Sequence, residues 1–197
     1  LEFRRVLFRS HLDGLIKIKP TVSMNQIETI IQTSISTKEA LLSDKNLIER
    51  IQHAAKLTAS SLQQQNKVLF CGNGGSAADA QHIAAELSGR FYTDRPPLYA
   101  EALHVNSSYM TAVANDYSFE VVYSRMLKGC GRKGDVLFAI STSGNSGNIL
   151  AAIEEAKKIG MHVIGMTGAT GGKMKDHCDV LLNVPSSDTP RIQECHI

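Results

Sequence analysis

Four residues apart in the stretch LFCGNGGSAADAQHIAAELSGR stand His82 and Glu86, and on a helix that spacing sets an imidazole and a carboxylate side by side on one face. Such a pair can supply half of a zinc site, and a carboxylate so placed can also move a proton. A plain surface His–Glu contact has the same spacing, so position has to decide. The pair follows directly on the turn GNGGS, near the N-terminal end of its helix, where Asn73 and Ser76 bring hydrogen-bonding side chains suited to sugar hydroxyls. Asp79 lies one turn before His82 and joins the candidates.

A second loop, STSGNS, gathers Ser141, Thr142, Ser143 and Ser146, with Gly144 and Gly147 letting the backbone come close to a ligand. It stands after the apolar run VLFAI and before a helix-like run. There, free N–H groups and the positive end of the helix dipole can hold a phosphate with no Lys or Arg. A serine-rich capping turn is the plainer alternative, and the strand-loop-helix position favours the phosphate site. Gly72, Gly74 and Ala77 formally satisfy G-x-G-x-x-G/A, but a dinucleotide site also wants an acid at the tip of the next strand. The nearest candidate, Asp94, sits in a proline-bearing turn before that strand, and no G-K-S/T sequence offers a P-loop.

The elements that must position these residues are legible in the apolar spacing. From Asn25, the residues Ile27, Ile30, Ile31 and Ile35 predict a helix, and Ser43-Asp44 caps a second through Leu47, Ile48, Ile51, Ala55 and Leu62. KVLFCG is a first strand, with a helix from Ala77 to about Leu87. After the turn Asp94–Pro97, LYAEALHV reads as a second strand, followed by a short helix in NSSYMTAVAND and another over Phe119 to Leu127. VLFAI is a third strand, with a helix from about Asn148 to Lys158 that ends at Gly160. MHVIGMTG is a fourth, GATGG a flexible turn and DVLLNVP a fifth, and Asp188-Thr189-Pro190 caps a last helix that begins RIQE. Short, continuously apolar strands alternating with helices predict an α/β fold whose parallel sheet is covered on both faces.

With 197 residues, 43% of them apolar, the chain suits one domain with a sizeable core. Its net charge of +2, from 21 basic against 19 acidic residues, offers no excess for nucleic acid or an anionic membrane. No apolar run approaches the roughly twenty residues of a spanning helix, and the expectation is a cytoplasmic protein. Cys71, Cys130, Cys178 and Cys195 form no C-x-x-C pair and read as reduced, mostly core thiols. Residues 1–23, opening LEFRRVLFRS with three arginines and no initiator Met, read as a leader foreign to the fold; the single domain then runs over 24–197. At the other end RIQECHI reads as a helix barely begun, so the domain is expected to be cut short in its C-terminal helix.

CGNGGSAADAQHIAAELSGRF, AVANDYSFE, GDVLFAISTSGNSGNIL and RIQECHI together resemble the phosphoheptose isomerase family, over the span from about Met24 to the last residue. The resemblance implies a sugar isomerase (SIS) domain, a flavodoxin-like three-layer sandwich with a five-stranded parallel sheet between helices. It implies conversion of D-sedoheptulose 7-phosphate to D-glycero-D-manno-heptose 7-phosphate through an enediol, on the way to ADP-heptose and lipopolysaccharide. It further implies zinc and a homotetramer with active sites between subunits. Carried over, Ser141, Thr142, Ser143 and Ser146 hold the phosphate, while Asn73, Gly74, Gly75, Ser76, Asn115, Asp116 and Gln193 contact the sugar. His82, Glu86 and Gln193 bind zinc, and Glu86 is the acid/base; Asp79 and Arg90 are further candidates. The family's remaining histidine ligand falls eight residues after Gln193, past Ile197, and His196 is not that residue. Pro190 also replaces the usual small or acidic residue. Two other classes share parts of this pattern: relatives that associate with the replication initiator DnaA, which lack the carboxylate at Glu86, and phosphosugar-sensing SIS regulators, which need only the STSGNS loop.

Overall fold

The computed structural model describes residues 24–197, so the leader expected over 1–23 lies outside the described residues. The chain divides into two units at Thr33–Ser34. Of the first, residues 24–33 are described; they open helix α1 (Met24–Ser43) and expose Ile27, Ile30 and Ile31.

The second unit carries the sheet. Asp44 accepts a hydrogen bond from Leu47 N at 2.9 Å and starts α2 (Lys45–Gln63), as a capping aspartate should. The chain then runs β1 (Val68–Gly72), α3 (Gly75–Ser88), β2 (Ala100–Ala102), α4 (Ser107–Asp116) and a 3₁₀ turn leading into α5 (Val122–Cys130). It continues through β3 (Val136–Ile140), α6 (Gly147–Ile159), β4 (His162–Thr167), a second 3₁₀ turn at Gly172–Asp176, β5 (Val180–Asn183) and α7 (Thr189–His196). The five strands form one sheet in the order β2-β1-β3-β4-β5, and every pair is parallel. Successive side chains alternate between its faces. Leu69, Cys71, Leu137, Ala139 and Val163 pack with α4, α5 and α6, while Val68, Phe70, Val136, Ile140 and Ile164 pack with α2 and α3. This is the expected α/β sandwich, and burial of both faces explains why the strands read as unbroken apolar runs.

One expectation is corrected. The second strand is three residues long, not the whole of LYAEALHV, since it pairs only with β1 and a turn closes from Val105 N to the Ala102 carbonyl. The GATGG segment turns as expected: Gly171 and Gly172 both have positive φ, and Gly172 opens the second 3₁₀ turn. Of the thiols, Cys71 is fully buried and Cys130, Cys178 and Cys195 are half-buried. Burial pushes the Cys71 thiol up and that of Cys178 to about 12, so neither is a nucleophile near neutrality.

In this strand order the chain leaves β1 for β2 on one side and returns to β3 on the other. The loops after β1 and β3 therefore diverge at a switch point, the place where open α/β sheets hold ligands.

Candidate active site

The first loop is built around contacts that only glycine permits. A Cβ at Gly72 would overlap the backbone of Ser76, so its absence lets α3 start directly over the end of β1. The buried hydroxyl of Tyr123 donates to the Gly72 carbonyl and fixes the strand's end. Gly74 has φ +57, and a Cβ at Gly75 would overlap the side-chain amide of Gln193 from α7. The Asn73 and Asn148 amides donate to each other's oxygens, both at 2.9 Å, and so tie this loop to the first turn of α6. Ser76 is buried in the first turn of α3.

The second loop gathers hydroxyls. Ser141 Oγ stands 3.0 Å from Ser146 Oγ and 3.5 Å from Ser143 Oγ. Ser146 occupies the N-cap of α6, yet its side chain makes no capping bond, so the hydroxyls face one another at a helix end whose first N–H groups lack a side-chain cap. Backbone bonds hold the frame: Ser141 N donates to the Met166 carbonyl at 3.0 Å, and Gly168 N to the Thr142 carbonyl at 2.9 Å. Asn145 braces it from outside, accepting from Lys173 N at 3.0 Å and donating to the Ser143 carbonyl at 2.9 Å. Three neutral hydroxyls at the start of a thirteen-residue helix are well suited to a phosphate ester. Glu120 places a carboxylate beside Gly147 at the same helix end, a feature the sequence did not single out.

His82 Nε2 and Glu86 Oε1 lie 3.3 Å apart on the partly exposed face of α3. Two ligands about 2.0–2.2 Å from one tetrahedral ion stand roughly 3.3–3.6 Å apart, so the pair fits as two ligands of one zinc. Among the described residues no third His, Cys, Asp or Glu closes on them. Gln193, against Gly75 at the start of the same helix, is an amide candidate for a third position. Burial holds the Asp79 carboxyl above its usual range against the opposing pull of His82, and its Oδ2 is buried without a hydrogen-bond partner among the described residues.

His82 and Glu86 open into a cavity of about 460 Å³ that Leu87, Phe91, Arg95 and His196 also line. Thr142 and Ser143 open into a different cavity, of about 300 Å³. Within one chain, then, the hydroxyl loop and the carboxylate do not share a cavity. Asn115 donates to Asp116 Oδ1 at 2.9 Å at the exposed end of α4, and Arg90 is exposed just past α3. Arg95, which sequence reasoning missed, donates to the Leu87 and Glu86 carbonyls at 2.9 and 3.0 Å and so satisfies the last turn of α3. Its place in a turn just after a helix was the available signal. His196 is buried, with Nε2 3.3 Å from the Thr167 carbonyl, and it lines the same cavity as His82 and Glu86. No helix among the described residues is long and apolar enough to cross a membrane.

A family model for the SIS domain matches residues 33–168. The chain is 52% identical over 171 residues to a phosphoheptose isomerase of Aneurinibacillus thermoaerophilus, covering 87% of this chain and 86% of that protein. It is 51% identical over 170 residues to one of Mycobacterium tuberculosis, covering 86% and 87%. Among solved structures, the phosphoheptose isomerase of Neisseria gonorrhoeae superposes with a TM-score of 0.82 at 45% identity, covering 88% of this chain and 91% of that one. That of Francisella tularensis gives 0.83 at 38% identity, covering 89% and 93%.

Proposed function

The chain belongs to the phosphoheptose isomerase family of SIS-domain proteins, and on that premise we propose that it converts D-sedoheptulose 7-phosphate to D-glycero-D-manno-heptose 7-phosphate in the cytoplasm, as an early step toward ADP-heptose for surface lipopolysaccharide. The observation that carries the reading is the convergence of the Ser141, Ser143 and Ser146 hydroxyls on the start of α6, an ester-holding site made without a cation. Thr142 belongs to the same loop, and Asn73, Gly74, Gly75, Ser76, Asn115, Asp116 and Gln193 serve the sugar.

The chemistry then falls to Glu86. Its carboxylate takes a proton from C1 of the ketose and later returns it to C2, while a second proton passes from the O1 hydroxyl to O2, so that the C2 carbonyl becomes a hydroxyl by way of the enediol and C1 becomes the aldehyde. His82, Glu86 and Gln193 are the residues that would hold zinc, which when bound polarises the substrate oxygen and makes the C1 proton more acidic. Because Ser143 and Glu86 line separate cavities in one chain, the reading has them meet across a subunit boundary in a homotetramer.

The test is Glu86→Gln, which keeps shape and removes the base. Formation of aldose from sedoheptulose 7-phosphate, followed by NMR, is expected to fall by about 10²- to 10⁴-fold, with binding of the phosphosugar retained in calorimetry. Loss of binding together with turnover would make Glu86 a structural residue.

A further inference from the structure

Strand β1 runs one rung further than its neighbour β2, and a side chain supplies the rung that β2 does not. The Phe70 carbonyl points toward β2, where it accepts from Leu103 N at 2.9 Å, and the Gly72 carbonyl, two residues on, points the same way. In a continued parallel pair it would accept from Val105 N. That N–H turns back instead to the Ala102 carbonyl at 3.4 Å. The Gly72 carbonyl is taken by the hydroxyl of Tyr123, which reaches it from α5 and is 1% exposed. Burial holds the phenol's pKa above its ordinary value, so the hydroxyl stays a donor.

The Gly72 carbonyl and the Asn73 N–H share one rigid peptide plane, so fixing the carbonyl fixes the direction in which the Asn73–Gly75 loop leaves the strand. Asn148 then holds the loop's side chain. It lies in the first turn of α6, 4% exposed, and its amide and that of Asn73 exchange hydrogen bonds of 2.9 Å in both directions. Turning the Asn73 amide alone would set oxygen against oxygen and N–H against N–H, so the pair decides which end donates. One N–H and one lone pair of Asn73 are left for a ligand. Neither Tyr123 nor Asn148 lines the cavity of Thr142 and Ser143 or that of His82 and Glu86. The hydroxyl loop has its own braces on the β4 side, from Ser141 N to the Met166 carbonyl and from Gly168 N to that of Thr142.

We propose that Tyr123 and Asn148 are positioning residues: without touching the ligand, they preset the Asn73–Gly75 loop in the geometry that meets the sugar. The proposal rests on the phosphosugar reading given above, in which this loop contacts the sugar while the ester sits on the hydroxyls of Ser141, Ser143 and Ser146. A loop ordered before the ligand arrives need not be ordered during binding. Loosening it weakens the hold on the sugar and leaves the ester end, braced from β4, as it was.

Two variants test this. Tyr123→Phe keeps the ring and removes one oxygen; Asn148→Ala removes the amide at a helix position that suits alanine. Calorimetry uses sedoheptulose 7-phosphate, which spans ester site and loop, and glycerol phosphate, which presents the ester on a short chain. Each variant is expected to bind the heptulose phosphate about tenfold more weakly and glycerol phosphate unchanged, which also shows that it is folded. The double variant is expected to lose less than the product of the single effects, because both residues hold one loop. Amide hydrogen exchange reads the loop without any ligand: the amides from Asn73 to Ser76 are expected to exchange about tenfold faster in each variant, and those from Thr142 to Ser146 at the wild-type rate. Equal weakening of both probes, or a lowered urea midpoint with heptulose phosphate binding and loop exchange unchanged, would make the two residues structural and overturn the proposal. A wild-type protein that binds neither probe would fail the phosphosugar reading itself, and the exchange rates would still decide whether Tyr123 and Asn148 hold the loop.

Discussion

His196 shows what one buried side chain does to the whole protein's pH response. The Thr167 carbonyl can only accept, so Nε2 carries the proton of the neutral ring, and Nδ1 is left buried without a partner among the described residues. A second proton would have to go on that nitrogen. Burial therefore pushes the pKa down from the ordinary 6.5, more than the bond to Thr167 raises it. As pH falls below about 6.5 the unfolded chain takes up a proton that the folded chain still refuses, so the unfolded state binds more protons and stability falls. The contribution is complete above 6.5 and is lost toward the depressed folded value. Burial shifts His104 in the same direction. The urea midpoint is expected to drop between pH 7.5 and 5.5, and His196→Gln, which removes the titrating ring, is expected to flatten that drop. An unchanged slope in the variant would assign the acid sensitivity to other groups.

At the level of elements, the hydroxyl loop is held by a contact between two glycine turns. Gly144 has φ +67, and a Cβ there would overlap the carbonyl of Gly171, while a Cβ at Gly172 would overlap that of Ser143. Gly144→Ala thus combines a left-handed backbone with a backbone clash, and is expected to cost at least about 2 kcal/mol in urea unfolding. Gly129→Ala is the control. Its Cβ would meet nothing within 4 Å on the exposed side of α5, and helix propensity predicts a gain of about 0.5–1 kcal/mol. If Gly144→Ala were as mild as Gly129→Ala, the glycine contact would not be what sets the loop. The sequence made the strand-loop-helix units readable because they follow from local period and capping, as with Asp44 before α2 and Gly160 after α6. It could not show Gly144 against Gly171, Asn73 against Asn148, or Gln193 against Gly75. Each joins residues at least 27 positions apart, and nothing local in either partner names the other. The second strand was overread for a related reason: an apolar run records burial, whereas strand length is set by how far the neighbour pairs.

At the level of the molecule the question is which surfaces meet. The sequence put Ser143 on the loop after one strand and Glu86 on the helix after another, and only the folded chain shows them opening into separate cavities. Phe91, Tyr92, Tyr99, Tyr117 and Phe119 are 53–91% exposed in the isolated subunit. Phe91 also lines the Glu86 cavity, so a partner covering that ring would reach the carboxylate's surroundings. Both observations favour a site completed by a second copy, and mixing two inactive chains tests it. On the proposed reading, Ser143→Ala removes a hydroxyl that grips the ester and Glu86→Gln removes the base. In a homotetramer assembled from both variants, some sites pair an intact hydroxyl loop from one chain with an intact carboxylate from the other. Co-refolded mixtures are therefore expected to regain activity that neither variant has alone, in particles of four times 21.4 kDa by light scattering. Each variant refolded alone stays inactive at the same size. Tetrameric mixtures without recovered turnover would place Ser143 and Glu86 in the same subunit's site, and the substrate would then have to bridge two cavities that the unliganded chain keeps apart.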